Sequence, residues 1–495
     1  MSLKQKTVQG VLWTGMAKMT MQAVLSVVMI ILANLLGTSD FGLVSMAALI
    51  TIAIQIVTDN GLGTAIVQKP AIHAGHLSSL FWGSLAFGVT LFIISVLASY
   101  PMRSFFRTPA IQPVVIVLAL GFIIDAFCVV QKALLVREMA FKKLGIIETI
   151  SAVVYGLIAI ALALGGQGVW SLVIAMLVRD VTAVLLFWHY SGFKPKRHFA
   201  WPEFRELAGF SSKVIGNDVA FYLNSNADIT IVGRLLGDSA LGVYGMAMQL
   251  VKLPVTRLSG IVSRVTFPAF SAVQSDLKSF KWGYVHSMRY ISLITFPILT
   301  GLALYAREFV LVVLGSEWKE LVLPLIILVP MAMLKSVGTI RGSVLKARGK
   351  PQIEFWWNSL YLVPFAGAIY WGCRYGLVGA SAAYTGLYLL TFPVIQYITN
   401  RQADLTMREF FQALWPAAVA SVVMILVALA VRTVIYAQWP GAMLLNLIAG
   451  GVLCGAAYVG ALWLIKRSLF REVGDLLRRA GKKTAPALEL EGGTL

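Results

Sequence analysis

The chain has 495 residues, of which 58% are apolar and only 13% are charged, and its formal net charge is +19. Soluble domains carry about 25% charged residues, so this composition excludes a soluble enzyme, a nucleic-acid regulator and a disordered scaffold. The mean hydropathy of +0.81 predicts an all-α polytopic membrane protein, in which each span needs about 20 mainly apolar residues.

Apolar stretches separated by polar residues or by Gly and Pro define the predicted spans. There are about fourteen, at residues 9–35, 41–60, 78–100, 113–133, 146–164, 168–189, 207–234, 240–263, 285–305, 322–340, 355–373, 377–398, 411–435 and 441–465. An even number of spans places both termini on the same side of the membrane. The connections are short, so we expect no folded domain outside the membrane.

Basic residues are distributed unevenly between the two faces of this arrangement. With the N-terminus in the cytoplasm, the cytoplasmic segments hold 28 of the 41 Lys and Arg residues and the outer segments hold 7. Cytoplasmic loops of membrane proteins carry an excess of Lys and Arg. The sequence therefore predicts cytoplasmic N- and C-termini, and the positive net charge is no reason to expect a nucleic-acid partner.

A repeat relates two segments that lie 200 residues apart. Residues 35–47 and 235–247 are identical at 7 of 13 positions without a gap, and each copy lies in the turn after an odd-numbered span. Six spans separate the copies, so both point the same way through the membrane, as in a parallel repeat about an axis along the membrane normal. We predict a six-helix N-lobe (1–200), a six-helix C-lobe (201–405), a C-terminal helix pair (406–466) and a basic cytoplasmic tail (467–495). Lobes of this kind rock around a central site, which favours a transporter.

Ionisable residues inside the predicted spans are candidates for function, because a charge at a helix centre costs roughly 2.5–3.5 kcal/mol. Ten lie inside or at the edges of spans: Lys18, Asp59, Asp125, Arg179, Asp180, Lys213, Asp218, Asp228, Lys252 and Arg257. They face either a water-filled cavity or a partner. Structural ion pairs and helix–helix hydrogen bonds stay open as the alternative for each of them.

Two polar stripes favour the cavity. The stripe on the seventh span consists of Lys213, Asn217, Asn224 and Asp228. The stripe on the first span consists of Thr14, Lys18 and Gln22. These spacings place each set on one helix face, and Lys18 and Asp218 occupy equivalent repeat positions. The stripes are expected to line a hydrophilic cavity, joined by Lys252 and Arg257 of the eighth span. A lysine at mid-membrane depth suits a phosphate or carboxylate better than a cation.

Signals for other chemistry are missing. No Gly-x-x-x-x-Gly-Lys-Ser/Thr segment is present, so the chain contains no nucleotide-driven pump. Two neighbouring histidines, His73 and His76, have no Asp or Glu near them in the sequence that could complete a metal site. Cys128, Cys373 and Cys454 are far apart and show no metal-binding or disulfide spacing. We therefore predict no catalytic residue, no metal and no cofactor.

Five segments carry a resemblance to a known family. They are Gly10–Trp13, Leu36–Gly42, Asp59–Gln68, Arg264–Ser271 and Lys346–Pro351. In combination they resemble Wzx-type polysaccharide flippases of the multidrug/oligosaccharidyl-lipid/polysaccharide exporter superfamily, and the branch is similar to exporters of colanic-acid-like exopolysaccharide units. The resemblance covers nearly the whole chain.

The resemblance implies a substrate, a mechanism and partners. The substrate is undecaprenyl pyrophosphate bearing a short oligosaccharide, which moves from the inner to the outer leaflet of the bacterial inner membrane; polysaccharide polymerase machinery is a further candidate partner. The last two helices are expected to hold the lipid tail, and cationic cavity residues to hold the pyrophosphate. The candidate cavity residues are Lys18, Gln22, Arg179, Lys213, Asn217, Asn224, Lys252 and Arg257. The candidates for coupling to H+ or Na+ are Asp59, Asp125 and Asp218.

Three alternatives stay open. A peptidoglycan lipid-precursor flippase and a multidrug antiporter are both transporters, although the antiporter usually has twelve spans and an acidic cavity. A membrane polysaccharide polymerase or ligase is of another class. Such enzymes typically need a sizeable outer loop with catalytic side chains, and they leave the repeat unexplained.

Overall fold

The computed structural model describes residues 3–59, 66, 72–202, 204, 222, 226–272, 276–438 and 442–467. The described residues form helices joined by turns. In chain order the helices are α1 (Leu3–Leu35), α2 (Thr38–Asp59), α3 (Ala74–Phe106), α4 (Ile111–Ala126), α5 (Val129–Arg137), α6 (Phe141–Leu164), α7 (Val169–Ser191), α8 (Ala227–Ala272), α9 (Leu277–Leu304), α10 (Val322–Gly338), α11 (Arg341–Ala347), α12 (Pro351–Gly372), α13 (Gly376–Gln402), α14 (Met407–Gln438) and α15 (Met443–Ile465). Short helical turns between Ala306 and Leu321 join α9 to α10.

The all-α fold class is confirmed, and helices occur where thirteen of the fourteen spans are predicted. Most of the remaining span, 207–234, lies outside the described residues. By length and composition, nine helices of the described part can cross a membrane, or ten if the bent pair α4–α5 counts as one span. The count of fourteen spans therefore stays a prediction.

Two spans differ from a simple straight helix. The predicted span 113–133 consists of α4 and α5, which are bent by 49° relative to each other. The long helix α8 is interrupted at Gly237, which has φ 88° and ψ −176°. Only glycine adopts that backbone conformation readily, so the break falls at the turn that the repeat predicts.

Side chains at two helix starts explain where those helices begin. Asp276 caps α9, and its Oδ1 accepts the N–H groups of Lys278 (3.0 Å) and Ser279 (3.3 Å). Hydrogen bonds from the Ser279 hydroxyl and backbone hold the pKa of Asp276 below its usual value. Before α14, the Thr406 N–H donates to Glu409 Oε2 (2.9 Å), and the Glu409 N–H donates to Thr406 Oγ1 (3.2 Å). This reciprocal capping box fixes the start of α14.

The chain folds as two compact units. The first comprises Met1–Gln249, Val310–Leu328 and Trp356–Leu387, and the second comprises Leu250–Phe309, Val329–Phe355 and Tyr388–Leu495. These units do not coincide with the lobes predicted from the repeat, which stay a prediction.

Small residues allow close helix packing within each unit. In the first unit, Gly156 of α6 receives the Val28 side chain of α1, and Gly88 of α3 lies against the Phe122 carbonyl of α4. In the second unit, Gly450 of α15 lies against the ring of Tyr305. Membrane helices associate through such contacts because lipid tails provide no hydrophobic drive for association.

Candidate functional site

The two copies of the repeat touch each other in the first unit. The Thr38 and Ser239 hydroxyl oxygens are 2.6 Å apart, and the Ser39 hydroxyl donates to Asp238 Oδ2 at 2.8 Å. Thr38 and Ser39 open α2, whereas Asp238 and Ser239 follow the break in α8. The contact thus joins the first turn after each copy's Leu-Leu-Gly.

Two glycines make this contact reciprocal. Gly42 abuts the carbonyl oxygen of Asp238, and Gly242 abuts the carbonyl oxygen of Thr38, so a Cβ at either glycine would overlap that oxygen. Residues 38 and 238, like 42 and 242, are equivalent in the repeat. The exchange of roles is what a two-fold relation between the copies produces. We call Thr38, Ser39, Gly42, Asp238, Ser239 and Gly242 the turn contact.

An acidic residue lies beside the turn contact. Asp40 Oδ2 accepts the Gly37 N–H at 3.1 Å, which caps the start of α2. Burial raises the pKa of Asp40, and the nearby carboxylates of Glu317 and Asp238 add to this effect, while backbone N–H groups of Gly37 and Val169 oppose it. The equivalent position in the second copy is Ala240. The two turns therefore share the same backbone contacts, but only the first has a carboxylate at this position.

The segment before α10 packs against the first copy. Trp318 is fully buried, its ring lies 5.2 Å from Phe41, and its Nε1–H donates to the Ala33 carbonyl at 2.8 Å. Asn34 Nδ2 donates to the Val313 carbonyl at 2.7 Å. These contacts hold the turn end of α1 and α2 firmly within the first unit.

The structure describes the side chains of four predicted cavity residues, namely Lys18, Gln22, Lys252 and, in the charged cluster treated below, Arg179. Lys18 is exposed on α1, and Gln22 is half-buried with its amide donating to Ser26 Oγ at 3.4 Å. The polar stripe of α1 therefore continues for one more turn. Lys252 is half-buried on the part of α8 that belongs to the second unit.

Other predicted site residues fall outside the described part of the chain. They are Lys213, Asn217, Asp218 and Asn224. Asp59 ends α2 and Arg257 lies within α8, but their side chains also lie outside the description. All of these assignments stay predictions.

Arg179 lies in a charged cluster of the first unit. Its Nε and Nη2 atoms donate to Asp180 Oδ1 at 2.9 and 2.8 Å. Asp125 of α4 and Tyr155 of α6 are close enough to interact electrostatically with the guanidinium. The cluster therefore joins α4, α6 and α7, and it contains two carboxylates for one cation.

A buried carboxylate on α8 forms a contact that the sequence does not predict. Asp228 is 1% exposed, and its Oδ2 accepts the hydroxyl of the fully buried Tyr244 at 3.0 Å. Within the described chain, Asp228 Oδ1 has no hydrogen-bond partner. The sequence placed Asp228 on the polar stripe but gave no sign of Tyr244, because a contact across sixteen residues of α8 depends on the break at Gly237.

A second buried carboxylate, Glu308, has no counterpart among the sequence predictions. It is fully buried in the second unit, and its Oε1 accepts Arg432 Nη2 of α14 and Asn446 Nδ2 of α15, both at 2.9 Å. The available signal was Arg432, the single charged residue within the predicted C-terminal pair of spans. Among the described residues, no group of three His, Cys, Asp or Glu side chains is arranged to hold a metal.

Comparison with known proteins assigns the family. Residues 31–323, more than half of the chain, match the family described as "Polysaccharide biosynthesis protein". The chain belongs to this family. It is 27% identical to the lipopolysaccharide biosynthesis protein WzxC of Escherichia coli (strain K12), over 88% of this chain and 90% of that protein. It is 26% identical to the succinoglycan biosynthesis transport protein ExoT of Rhizobium meliloti (strain 1021), over 98% of this chain and 99% of that protein.

Solved structures support the fold of this family member. The lipid II flippase MurJ in an inward closed conformation is similar with a TM-score of 0.70 and 13% identity, covering 92% of this chain and 99% of that chain. An inward-facing multidrug resistance MATE transporter of the MOP superfamily is similar with a TM-score of 0.58 and 16% identity, and the match covers 77% of this chain and 96% of that chain. The resemblance to Wzx-type flippases and the exporter-type fold are therefore confirmed, and the chain is a multi-pass membrane protein.

Proposed function

We propose that this polysaccharide biosynthesis protein is a flippase without catalytic activity that moves an undecaprenyl-pyrophosphate-linked oligosaccharide across the bacterial inner membrane. Its relatives WzxC and ExoT are named for lipopolysaccharide biosynthesis and for succinoglycan transport. A pyrophosphate and several sugars cannot cross hydrocarbon unaided, because each buried polar group needs a partner. A polar path between two lobes provides these partners while the lipid tail stays in the bilayer.

The turn contact is the observation that carries this mechanism. It joins two equivalent turns through backbone packing and through hydroxyl and carboxylate groups that water can replace. Such a contact separates without unfolding either copy, so it suits a gate that opens and closes. With both termini in the cytoplasm, as the distribution of basic residues predicts, the contact lies on the outer face, where we assign it to an outer gate.

The polar stripe on α1 supports the assignment of the headgroup site. Lys18 is exposed, and Gln22 and Ser26 continue its face towards the turn end. We assign the pyrophosphate to Lys18, Lys252, Lys213 and Arg257, since an ammonium or guanidinium is the natural partner of a phosphate. The amides of Gln22, Asn217 and Asn224 are assigned to hydroxyl groups of the sugars.

The surface of the C-terminal helices supports the assignment of the lipid tail. Large apolar side chains are exposed along α14 and α15, among them Val422, Leu426, Ile448 and Val452. An isoprenoid chain can lie along such a surface without displacing any polar contact.

We assign ion coupling to the buried carboxylates. Asp228 is buried, and one of its oxygens has no hydrogen-bond partner in the described chain, so that oxygen is available to a coupling ion. Arg179 is neutralised by Asp180, so its cluster with Asp125 fits coupling better than phosphate binding. Asp59 and Asp218 stay candidates for the same role, and either H+ or Na+ fits these groups.

Complementation tests the function and the headgroup site together. In a strain lacking its exopolysaccharide flippase, we expect the wild type to restore polymer. At equal membrane abundance, Lys18→Ala and Lys252→Ala should each lower the amount of polymer at least about tenfold, which corresponds to a loss of about 1.4 kcal/mol in headgroup binding. Lys319→Ala, at an exposed lysine near the turn end, is the matched control and should keep full activity.

Each other outcome has a definite meaning. Full activity of both lysine variants would reject the headgroup assignment and leave the flippase intact. Failure of the wild type, with lipid-linked units already in the outer leaflet, would favour a polymerase or ligase. Rescue of a strain depleted of its peptidoglycan-precursor flippase, without rescue of exopolysaccharide, would change the substrate class.

A further inference from the structure

A segment between α7 and the second repeat copy is fixed along the start of α3. This strap consists of residues 192–202 and 204. The Lys196 N–H donates to Ser78 Oγ at 3.1 Å, and the Ala200 N–H donates to Ser79 Oγ at 2.9 Å. Trp82 Nε1–H donates to the Lys196 carbonyl at 2.9 Å. Both serines are buried in the first two turns of α3, so the backbone of the strap has a defined position.

Aromatic side chains of the strap are partly buried and partly presented outward. The Phe204 ring occupies the space that a side chain at Gly83 would need. Phe199 and Trp201 lie 6.1 and 5.7 Å from this ring, yet they are 50% and 60% exposed. The fold therefore holds two large rings at its surface instead of burying them.

Basic residues precede these rings along the strap. Lys194, Lys196 and Arg197 are exposed on the strap, and the first acidic residue that follows them in the sequence is Glu203. The strap leaves the end of one candidate span, Val169–Ser191, and lies beside the start of another, Ala74–Phe106. These candidate spans therefore predict that the strap lies at the boundary between hydrocarbon and water. At that boundary, aromatic rings lie among headgroups, and cations are attracted to anionic lipids.

We propose that the strap is a binding surface for anionic phospholipid headgroups of the cytoplasmic leaflet. Trp201 and Phe199 enter the headgroup layer, and the three cations pair with lipid phosphates. Each basic residue near an anionic membrane surface increases the affinity for that surface about fivefold. The strap contains none of the residues that we assign to the transported substrate, so this inference does not depend on the proposed flippase activity.

Native mass spectrometry of the full-length protein with added phosphatidylglycerol tests the proposal without substrate. We expect Lys194→Gln/Lys196→Gln to weaken retention of this lipid about 25-fold, since two cations are lost, and Lys194→Arg/Lys196→Arg to retain it. The matched control is Lys346→Gln/Lys350→Gln, which removes two exposed lysines, one at the end of α11 and one just before α12. The control should bind phosphatidylglycerol as the wild type does.

The lipid composition and the aromatic pair complete the test. Phosphatidylcholine should bind the wild type and the Gln variant equally, and Phe199→Ala/Trp201→Ala should weaken phosphatidylglycerol binding although both lysines remain. Equal phosphatidylglycerol retention by the wild type and the strap Gln variant would overturn the proposal. The same holds if the control variant loses as much lipid, because general charge at that face would then explain the binding.

Discussion

Gly42 and Gly242 occupy positions that no other residue can fill in this conformation. Each lies against the backbone carbonyl of the residue four positions before its counterpart, where a Cβ would overlap oxygen. A rigid carbonyl cannot move aside as a flexible side chain can. The requirement for glycine therefore comes from the approach of two backbones and not from the conformation of either glycine.

We predict that Gly42→Ala disrupts the turn contact and transport. The added methyl group must push the two turns apart. If this weakens the closed contact by about 1.4 kcal/mol, its equilibrium constant falls about tenfold, and we expect the polymer restored by complementation to fall at least about tenfold. Gly367→Ala is the control, since nothing lies within 4 Å of a Cβ there, and alanine favours helix by up to about 1 kcal/mol. Full transport by Gly42→Ala would show that the turns need not meet.

At the residue scale, the sequence predicted which residues are equivalent in the repeat or share a helix face, but not which residues contact each other. The repeat identified Gly42 and Gly242 as equivalent, but equivalence alone does not say that the two copies touch. The polar stripe of Lys18 and Gln22 was visible because helical spacing is readable from sequence. The pairing of Asp228 with Tyr244 was not visible, because it depends on how α8 continues after its break.

The helix α14 is tied to α9 and its following turn near both ends, by ion pairs of different quality. Lys281 Nζ lies 2.8 Å from Glu409 Oε1, and both side chains are partly exposed. At the other end, Arg432 Nη2 lies 2.9 Å from Oε1 of Glu308; the Glu308 side chain is fully buried, whereas the Arg432 side chain is 35% exposed. Exposed pairs contribute about 0–1 kcal/mol, whereas removal of one partner from a buried pair leaves an uncompensated charge.

We predict that Arg432→Met lowers the free energy of unfolding by about 3 kcal/mol, measured by chemical denaturation in detergent micelles. Lys281→Met is the matched control and should lower it by less than about 1 kcal/mol. The double variant Glu308→Gln/Arg432→Met should recover part of the loss, because it removes the stranded charge. Equal losses in the two single variants would show that the Glu308 pair gains nothing from burial.

At the element scale, hydropathy located the helices well but not their irregularities. An apolar stretch marks a span whether the helix is straight or bent, so α4 and α5 were predicted as one. Their junction at Phe127 and Cys128 contains neither Gly nor Pro, which are the usual sequence signals of a bend. The break in α8 was predicted because Gly237 provides such a signal.

The two copies of the repeat pack against each other reciprocally at the turn contact. Two copies that point the same way through the membrane are expected to be related by an axis along the membrane normal, and the reciprocal glycines are what that axis requires. Composition and hydropathy therefore predicted the fold class, whereas the family was predicted from the resemblance of five short segments. The sugars of the proposed substrate, and whether an ion is coupled to its transport, were not predictable, because they depend on side chains from several helices whose relative positions no repeat defines.

The turn contact also provides a direct test of alternating access. The Thr38 and Ser239 hydroxyl oxygens are 2.6 Å apart, so cysteines at both positions are placed to form a disulfide, whose sulfur atoms lie about 2.05 Å apart. We predict that Thr38→Cys/Ser239→Cys loses transport on oxidation and regains it with a reductant, because the bond prevents the two turns from separating. The three native cysteines are buried and should not compete.

Transport by the oxidised and reduced protein is measured as lipid-linked oligosaccharide reaching the outer leaflet of vesicles, with cross-linking confirmed by mass spectrometry. The single variants Thr38→Cys and Ser239→Cys are the controls and should be insensitive to the oxidant. Full transport by the cross-linked protein would mean that the substrate passes without opening this contact. The outer gate would then have to lie elsewhere, and the reciprocal glycines would be a permanent joint between the copies.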